Sequence, residues 1–257
     1  MATHNPHTTA WFRSFRPLPE PALRLVCLPH AGGTPAAYRG WSAHLPLNVE
    51  LLATCYPGRQ DRLGQPPIEC MPDMVDALLT ALLPLSDLPM VLFGHSMGAS
   101  IAFETALLLE HNHGIAPEAL LLSGRRAPRL LTGRPPYLGG DEAIMADVRR
   151  LDETSSTVLD EPDLRDLVLP AIRADYRLLG TYKPTLDGVS SAPITAYVGD
   201  DDPDITEEHI LGWTAHTSAH FTHRVFPGGH FYLAECESEL VADVVTQLAH
   251  SITGTLS

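Results

Sequence analysis

The sequence predicts an α/β protein with a mostly parallel central sheet and helices on both faces. Three observations carry this reading. Apolar runs of strand length alternate with segments of helical period. Several of these runs are apolar at consecutive positions, as strands covered on both faces are. The β-α-β-α order holds along most of the 257 residues, which favours parallel pairing through helical crossovers.

Taken in order, the chain opens with "MATHNPHTTAWFRSFRPLPEPA", which reads as a short, loosely ordered lead-in rich in Pro and Thr. It has no charged stretch followed by an apolar block, so no secretory signal is expected. The strand candidates are "LRLVCLP" (Leu23 to Pro29), "VELLATCYP" (Val49 to Pro57), "PMVLFG" (Pro89 to Gly94), "EALLLSG" (Glu118 to Gly124), "PITAYVGD" (Pro193 to Asp200) and "FTHRVFPGG" (Phe221 to Gly229). Helical patterns cover Met71 to Leu83, Ser96 to His111 and Ser238 to Ile252. From Arg125 to about Val189 the rhythm breaks. Only the helix-like "MADVRRLDET" and "PDLRDLVLPAIRADYRLLGTY" interrupt the loops there. So long a connection within a compact unit points to a lid. The expectation is one domain over residues 1–257, with a helical lid insertion at about 125–189.

Composition narrows the function by exclusion. The chain is 44% hydrophobic, and at this length it buries roughly 70–75% of its unfolded surface. No run approaches the ~20 apolar residues of a membrane span. Seventeen basic against thirty-one acidic residues give a net charge of −14. That balance disfavours nucleic acid and anionic membrane surfaces, both of which recruit Lys and Arg. Four scattered cysteines with no C-x-x-C pair read as reduced thiols, hence a cytoplasmic protein. Cys27 and Cys55 fall inside strand runs, as core fillers.

Gly94-His95-Ser96-Met97-Gly98 follows one strand and opens a helix. Small residues on either side of a serine allow the tight turn that lifts its hydroxyl above the sheet edge. The helix N-terminus beneath offers free N–H groups to a developing anion. A triad on this frame follows in the chain order Ser, acid, His. His230 lies just beyond the last strand, and Asp200, Asp201, Asp202 and Asp204 lie at the end of the preceding one. Position alone leaves those acids equivalent. A serine hydroxyl needs an imidazole to take its proton, and the imidazole needs an acid to fix its tautomer. The oxyanion needs two backbone donors, one on Met97 after the nucleophile and one in the loop after an earlier strand. "LPHAGGTPAAY" supplies that loop in His30-Ala31-Gly32-Gly33.

Four blocks in order, "LPHAGGTPAAY", "YPGRQDRLGQPP", "LFGHSMGA" and "GDDDP…W…FPGGHFYL", span residues 25–233. In them the sequence resembles the type II thioesterases, discrete editing hydrolases that serve polyketide synthases and nonribosomal peptide synthetases. The resemblance implies an α/β-hydrolase fold with a helical lid. It implies Ser96 as nucleophile, His230 as base and, in the pattern G-D-x-D-P, Asp202 as acid. It places the oxyanion donors on the N–H groups of Ala31 and Met97, and makes Asp200 a structural residue. The implied activity is hydrolysis, through an acyl-enzyme, of aberrant or stalled acyl groups on the phosphopantetheine arm of acyl carrier proteins. A thioester is already activated, so this chemistry calls for no metal and no cofactor. The absence of carrier-like or linker segments at either end reads as a freestanding protein.

Other features are weaker. Arg125, Arg126, Arg129 and Arg134 read either as a docking patch for an acidic carrier or its phosphate, or as loop arginines paired with nearby acids. Arg59 and Arg62 either orient the active-site loop, contact substrate or make structural pairs. His216, His220 and His223 straddle a helix end and a strand with no carboxylate at ligand spacing, so no metal is expected. His30, His95 and Trp213 read as packing residues. The same triad also suits a carboxylesterase, lipase or acyltransferase. A non-catalytic ligand-binding protein on this fold is the reading from another class. Ser96 at the elbow disfavours an aspartate-nucleophile dehalogenase or epoxide hydrolase.

Overall fold

A two-residue strand, β1 (Phe12–Arg13), precedes six longer ones: β2 (Leu23–Leu28), β3 (Val49–Thr54), β4 (Met90–His95), β5 (Ala119–Ser123), β6 (Ile194–Gly199) and β7 (Phe221–Phe226). They form one sheet in the order β1-β3-β2-β4-β5-β6-β7. This is a computed structural model, and it describes residues 10–131, 136–151 and 158–254. The six longer strands fall on the six apolar runs and pair in parallel throughout.

β1 departs from the expected loose lead-in. Phe12 pairs with Thr54 and Arg13 with Ala53, antiparallel to β3. Trp11 and Phe12 are buried, and the Arg62 guanidinium lies over the Trp11 ring at 4.1 Å. The physical reason is the otherwise open edge of β3, which the two aromatic residues cover while their backbone pairs with it.

The two faces of the sheet take alternate residues of each strand. Leu120 and Leu122 of β5 face a core shared with helices α1 (Met71–Leu82) and α2 (Met97–His113). Leu121 faces the opposite core, with Tyr38, Trp41, Phe93 and the last helix. Helix α2 is apolar nearly all round and buried from Met97 to Phe103, as a helix covered by sheet and neighbour must be. It ends at Gly114, whose left-handed φ of +66° lets its N–H cap the Glu110 and Leu109 carbonyls.

Between β5 and β6 run α3 (Gly140–Leu151) and α4 (Pro162–Thr181), the two helices expected in that stretch. They bury a small cluster of their own around Ile144, Leu159, Ile172 and Tyr176. The chain closes with the short α5 (Glu207–Leu211) and α6 (Tyr232–Glu235), then α7 (Glu237–Gly254). Among the described residues no helix is long and apolar enough to cross a membrane. All four cysteines are free thiols.

Register brings the site together. Leu28 lies beside Gly94 and His95 beside Ser123, so β2, β4 and β5 end at one level. The carboxyl ends of parallel strands are where such sheets hold ligands.

Candidate active site

Ser96 is the hinge between β4 and α2, with φ +54° and ψ −112°. A residue with a side chain in this region carries ~1–3 kcal/mol of strain, which surrounding structure must hold. The holding bonds are Ser96 N–H to the Ser123 carbonyl at 2.8 Å and Ala99 N–H to the Ser96 carbonyl at 3.1 Å. The flanking glycines are there because backbones touch. A Cβ on Gly94 falls 2.2 Å from the Gly98 oxygen, and one on Gly98 falls 2.0 Å from the Leu28 oxygen. The Met97 N–H, first in α2, has no hydrogen-bond partner among the described residues, as expected at a helix start.

His230 follows β7 on the Pro227-Gly228-Gly229 loop and is 4% exposed. Its Nδ1 lies 2.6 Å from Asp202 Oδ2. An ionised carboxylate only accepts, so Nδ1 carries the hydrogen of this bond. The His230 Nε2 is buried and has no partner among the described residues. Asp202 Oδ1 accepts from the N–H groups of Asp204 at 2.9 Å and Ile205 at 3.0 Å. Burial alone works to raise the Asp202 carboxyl. The hydrogen bond and charge of His230, with those two N–H groups, outweigh it and hold the carboxyl below its ordinary range.

Of the acids that position left open, only Asp202 meets His230. Asp200 Oδ1 accepts the Gly228 N–H at 2.9 Å, and the Asp201 N–H reaches the Gly228 carbonyl at 2.9 Å. These bonds tie the loops after β6 and β7 into one body. The Asp204 carboxylate pairs instead with Arg150 of α3, at 2.6 Å and 3.0 Å.

The turn after β2 is bonded on both sides of Ala31. Gly33 N–H closes onto the His30 carbonyl at 2.9 Å, and Gly32 N–H donates to Asp175 Oδ2 of α4 at 2.7 Å. The Ala31 N–H has no partner among the described residues. Arg59 reaches the same carboxylate through two bonds of 2.8 Å and also donates to the Gly33 carbonyl at 3.2 Å. The sequence singled out Arg59 without its partner. Asp175 was missed, although it sits on the apolar stripe of α4 with Ile172 and Tyr176. A carboxylate on a buried helical face is a signal in itself, because an unpaired charge is not kept there.

Beneath His230 lies a second buried group. His95 is 1% exposed, with its ring 4.9 Å from that of His230. Its Nδ1 is 2.9 Å from Ser123 Oγ, which is 2.7 Å from the Tyr232 hydroxyl. Burial, with the nearby His230 and His30, pushes the His95 imidazole well below its ordinary value. It is neutral at pH 7. His30 packs edge-on against Phe231.

Ser96, His230 and Ala31 open into a chamber of about 690 Å³, within the size range of small-molecule sites. Leu131, Val148, Leu151, Ile172 and Leu179 bring apolar wall from the chain between β5 and β6. Arg150 bridges Asp147 and Asp204 at one side of it. Arg125 and Arg126 also line the chamber. Arg125 Nε donates to Ser100 Oγ at 2.8 Å, Arg126 holds the Asp204 carbonyl at 2.6 Å, and Arg129 pairs with Asp187. Of these three, Arg129 is paired with an acid, while Arg125 is held by a hydroxyl and Arg126 by a backbone carbonyl. Arg134 lies outside the described residues. Arg62 donates to the Cys55 carbonyl at 2.8 Å, a structural bond. His216 Nδ1 lies 2.8 Å from the Gly188 carbonyl, His223 pairs with Glu207 and His220 is exposed. Trp213 packs on Phe103 and donates to the Arg125 carbonyl at 2.9 Å.

The chain matches the thioesterase domain family model over residues 23–251. It is 41% identical over 239 residues to the thioesterase PikA5 of Streptomyces venezuelae, covering 93% of this chain and 85% of that protein. It is 40% identical over 240 residues to a probable cadicidin biosynthesis thioesterase of Streptomyces griseus, covering 90% of this chain and 65% of that one. Among solved structures it is similar to the type II thioesterase BorB from the borrelidin biosynthetic cluster. The TM-score is 0.86 at 41% identity, with 95% of this chain and 100% of that chain covered.

Proposed function

This chain belongs to the thioesterase family, with an α/β-hydrolase fold, and we propose that it clears acyl groups from the phosphopantetheine thiol of acyl carrier proteins in polyketide or nonribosomal peptide synthesis. Ser96 is the nucleophile, His230 the base and Asp202 the acid that orients it. The observation that carries this reading is the His230–Asp202 bond of 2.6 Å, which leaves Nε2 unpaired in the chamber wall with Ser96.

Ser96 Oγ attacks the thioester carbonyl as Nε2 takes its proton. The oxyanion is met by the N–H groups of Ala31 and Met97, each worth about 10²–10³ in rate. Collapse breaks the C–S bond, and the imidazolium returns its proton to the departing thiolate. Water then attacks the acyl-enzyme with His230 again as base, releasing the acid and free Ser96. Asp202 stays ionised throughout and stabilises the imidazolium.

The segment at about 125–189 acts in this reading as the lid of a single domain, and the apolar wall it supplies favours hydrocarbon acyl chains over polar ones. Carrier domains are the partners, and the cytoplasm, where free thiols persist, is the setting. The test presents one acyl group on a carrier protein, on CoA and as a simple oxoester, to wild type and Ser96→Ala. The expected result is highest kcat/KM on the carrier and a loss of about 10⁶ in kcat on removing the serine. Preference for the oxoester defeats the carrier reading. Undiminished turnover by Ser96→Ala defeats the nucleophile.

A further inference from the structure

We propose that the buried pair Asp175–Arg59 positions the oxyanion turn, so that seating helix α4 and assembling the anion site are one event. The inference rests on the reading of Ala31 N–H as an oxyanion donor.

The turn that carries Ala31 is soft by composition, because Gly32 and Gly33 follow it and glycine backbones are the least restrained. Gly32 adopts φ +77°, where its own conformation supplies little preference, and a Cβ there falls 3.0 Å from Ile172 of α4. What holds the turn comes from elsewhere. Asp175 Oδ2 takes the Gly32 N–H at 2.7 Å. Fixing that N–H fixes the Ala31–Gly32 peptide plane. Gly33 N–H on the His30 carbonyl, at 2.9 Å, fixes the other side. That carbonyl belongs to the same peptide as the Ala31 N–H, so this bond holds the donor peptide directly.

Asp175 is in turn aimed by Arg59, whose planar fork takes both carboxylate oxygens at 2.8 Å. A bidentate pair supplies direction as well as attraction. Arg59 also donates to the Gly33 carbonyl at 3.2 Å and stacks over Tyr56 at 5.2 Å. The Tyr56 hydroxyl donates to the Pro29 carbonyl at 3.2 Å, so the strand end just before the turn is held by the same cluster. Asp175 is 0% and Arg59 6% exposed. Stability does not explain such a pair, since replacing a buried ion pair with apolar residues is often neutral or stabilising. Its bonds go to the Gly32 N–H and the Gly33 carbonyl, within the turn whose donor must be aimed. With α4 displaced, Gly32 N–H loses its acceptor and Arg59 its carboxylate, which leaves the turn to its internal Gly33–His30 bond and the single Arg59 bond to the Gly33 carbonyl.

The test separates packing from positioning. Arg59→Met/Asp175→Leu removes both charges and keeps the volume, and Asp175→Asn keeps the shape. Each is assayed on a carrier thioester for kcat and KM, by thermal unfolding, and for inhibition by an acyl trifluoromethyl ketone, which serine captures as an oxyanion. We expect the double variant to melt near wild type, with KM within about threefold and kcat lower by about 10–100-fold. Ketone inhibition should weaken by the factor lost from kcat/KM. Folded protein with wild-type kcat, or a loss confined to KM, overturns the proposal. If the double variant does not fold, Asp175→Asn decides by the same split. A Ser96→Ala control that stays active overturns the underlying nucleophile reading instead. An inactive control beside a fully active pair variant overturns this inference alone.

Discussion

Replacing Ser96 with glycine and with alanine separates backbone strain from chemistry. Both variants lose the hydroxyl and both are expected to be inactive, yet their stabilities should differ in an unusual direction. Elsewhere glycine destabilises relative to alanine by about 0.4–1 kcal/mol, because it has more unfolded freedom to lose. At φ +54° and ψ −112° alanine keeps a Cβ in a region that costs ~1–3 kcal/mol, and glycine is released from that cost. The difference leaves Ser96→Gly ahead by about 1–2 kcal/mol, if the strain sits near the middle of its range. For a chain of this size that is about 2–8 °C in Tm. Urea unfolding of the two proteins side by side reads it directly, because the Ser96 N–H to Ser123 bond of 2.8 Å is common to both. Ser96→Ala equal to or more stable than Ser96→Gly would refute the claim that the elbow stores strain.

Three further outcomes follow from contacts at the same site. Gly98→Ala puts a Cβ 2.0 Å from the Leu28 carbonyl oxygen, backbone against backbone, whereas at Gly64 nothing lies within 4 Å. Circular dichroism should find Gly98→Ala unfolded or destabilised by more than ~4 kcal/mol, and Gly64→Ala within ~0.5 kcal/mol of wild type; near-equal stabilities refute the contact. His95 supplies a pH dependence. Its folded pKa lies well below the ordinary value, so the unfolded chain binds the proton first. Its contribution to stability is complete above about pH 6.5 and is lost as pH falls toward the folded value. His95→Asn should flatten the fall in Tm between about pH 7 and 5.5, and an unchanged slope rules out this assignment. Asp202 works in a lower window: its folded pKa is depressed, so its contribution is present above about pH 4 and lost on further acidification.

The sheet was readable because β2 to β7 are apolar runs, a local signal that survives without knowledge of the neighbours. β1 was not, because two residues have no period and Phe12 is a strand only through Thr54, forty-odd positions on. The elbow was readable for the opposite reason: Gly94, Ser96 and Gly98 are demanded by a turn that any local reading contains. The acid was only half readable. Asp200, Asp201, Asp202 and Asp204 share one loop, and what distinguishes Asp202 is 8% exposure and the reach to His230, both products of the tertiary fold. Ser123, Tyr232 and Asp175 escaped altogether. Each acts through a partner distant in sequence: Ser123 through His95, Tyr232 through Ser123, and Asp175 through an arginine 116 positions away. In Asp175 the clue was present as a charge on an apolar stripe, but it named no partner.

The residues read as triad hang from β4, β6 and β7, and the free N–H groups from β2 and α2, so none comes from the chain between β5 and β6. That chain nevertheless supplies most of the apolar wall of the chamber. In the proposed reading, the chain between β5 and β6 is therefore a wall-bearing segment set on a frame that holds the triad and the donors. It meets that frame through side-chain packing and through polar bonds, among them those of the Tyr182 hydroxyl and the Thr185 N–H to Glu104 of α2. Asp175 differs from these in that its carboxylate bonds the turn after β2. A graft from a relative would have to carry an acid at that position, or bring with it the matching change at Arg59.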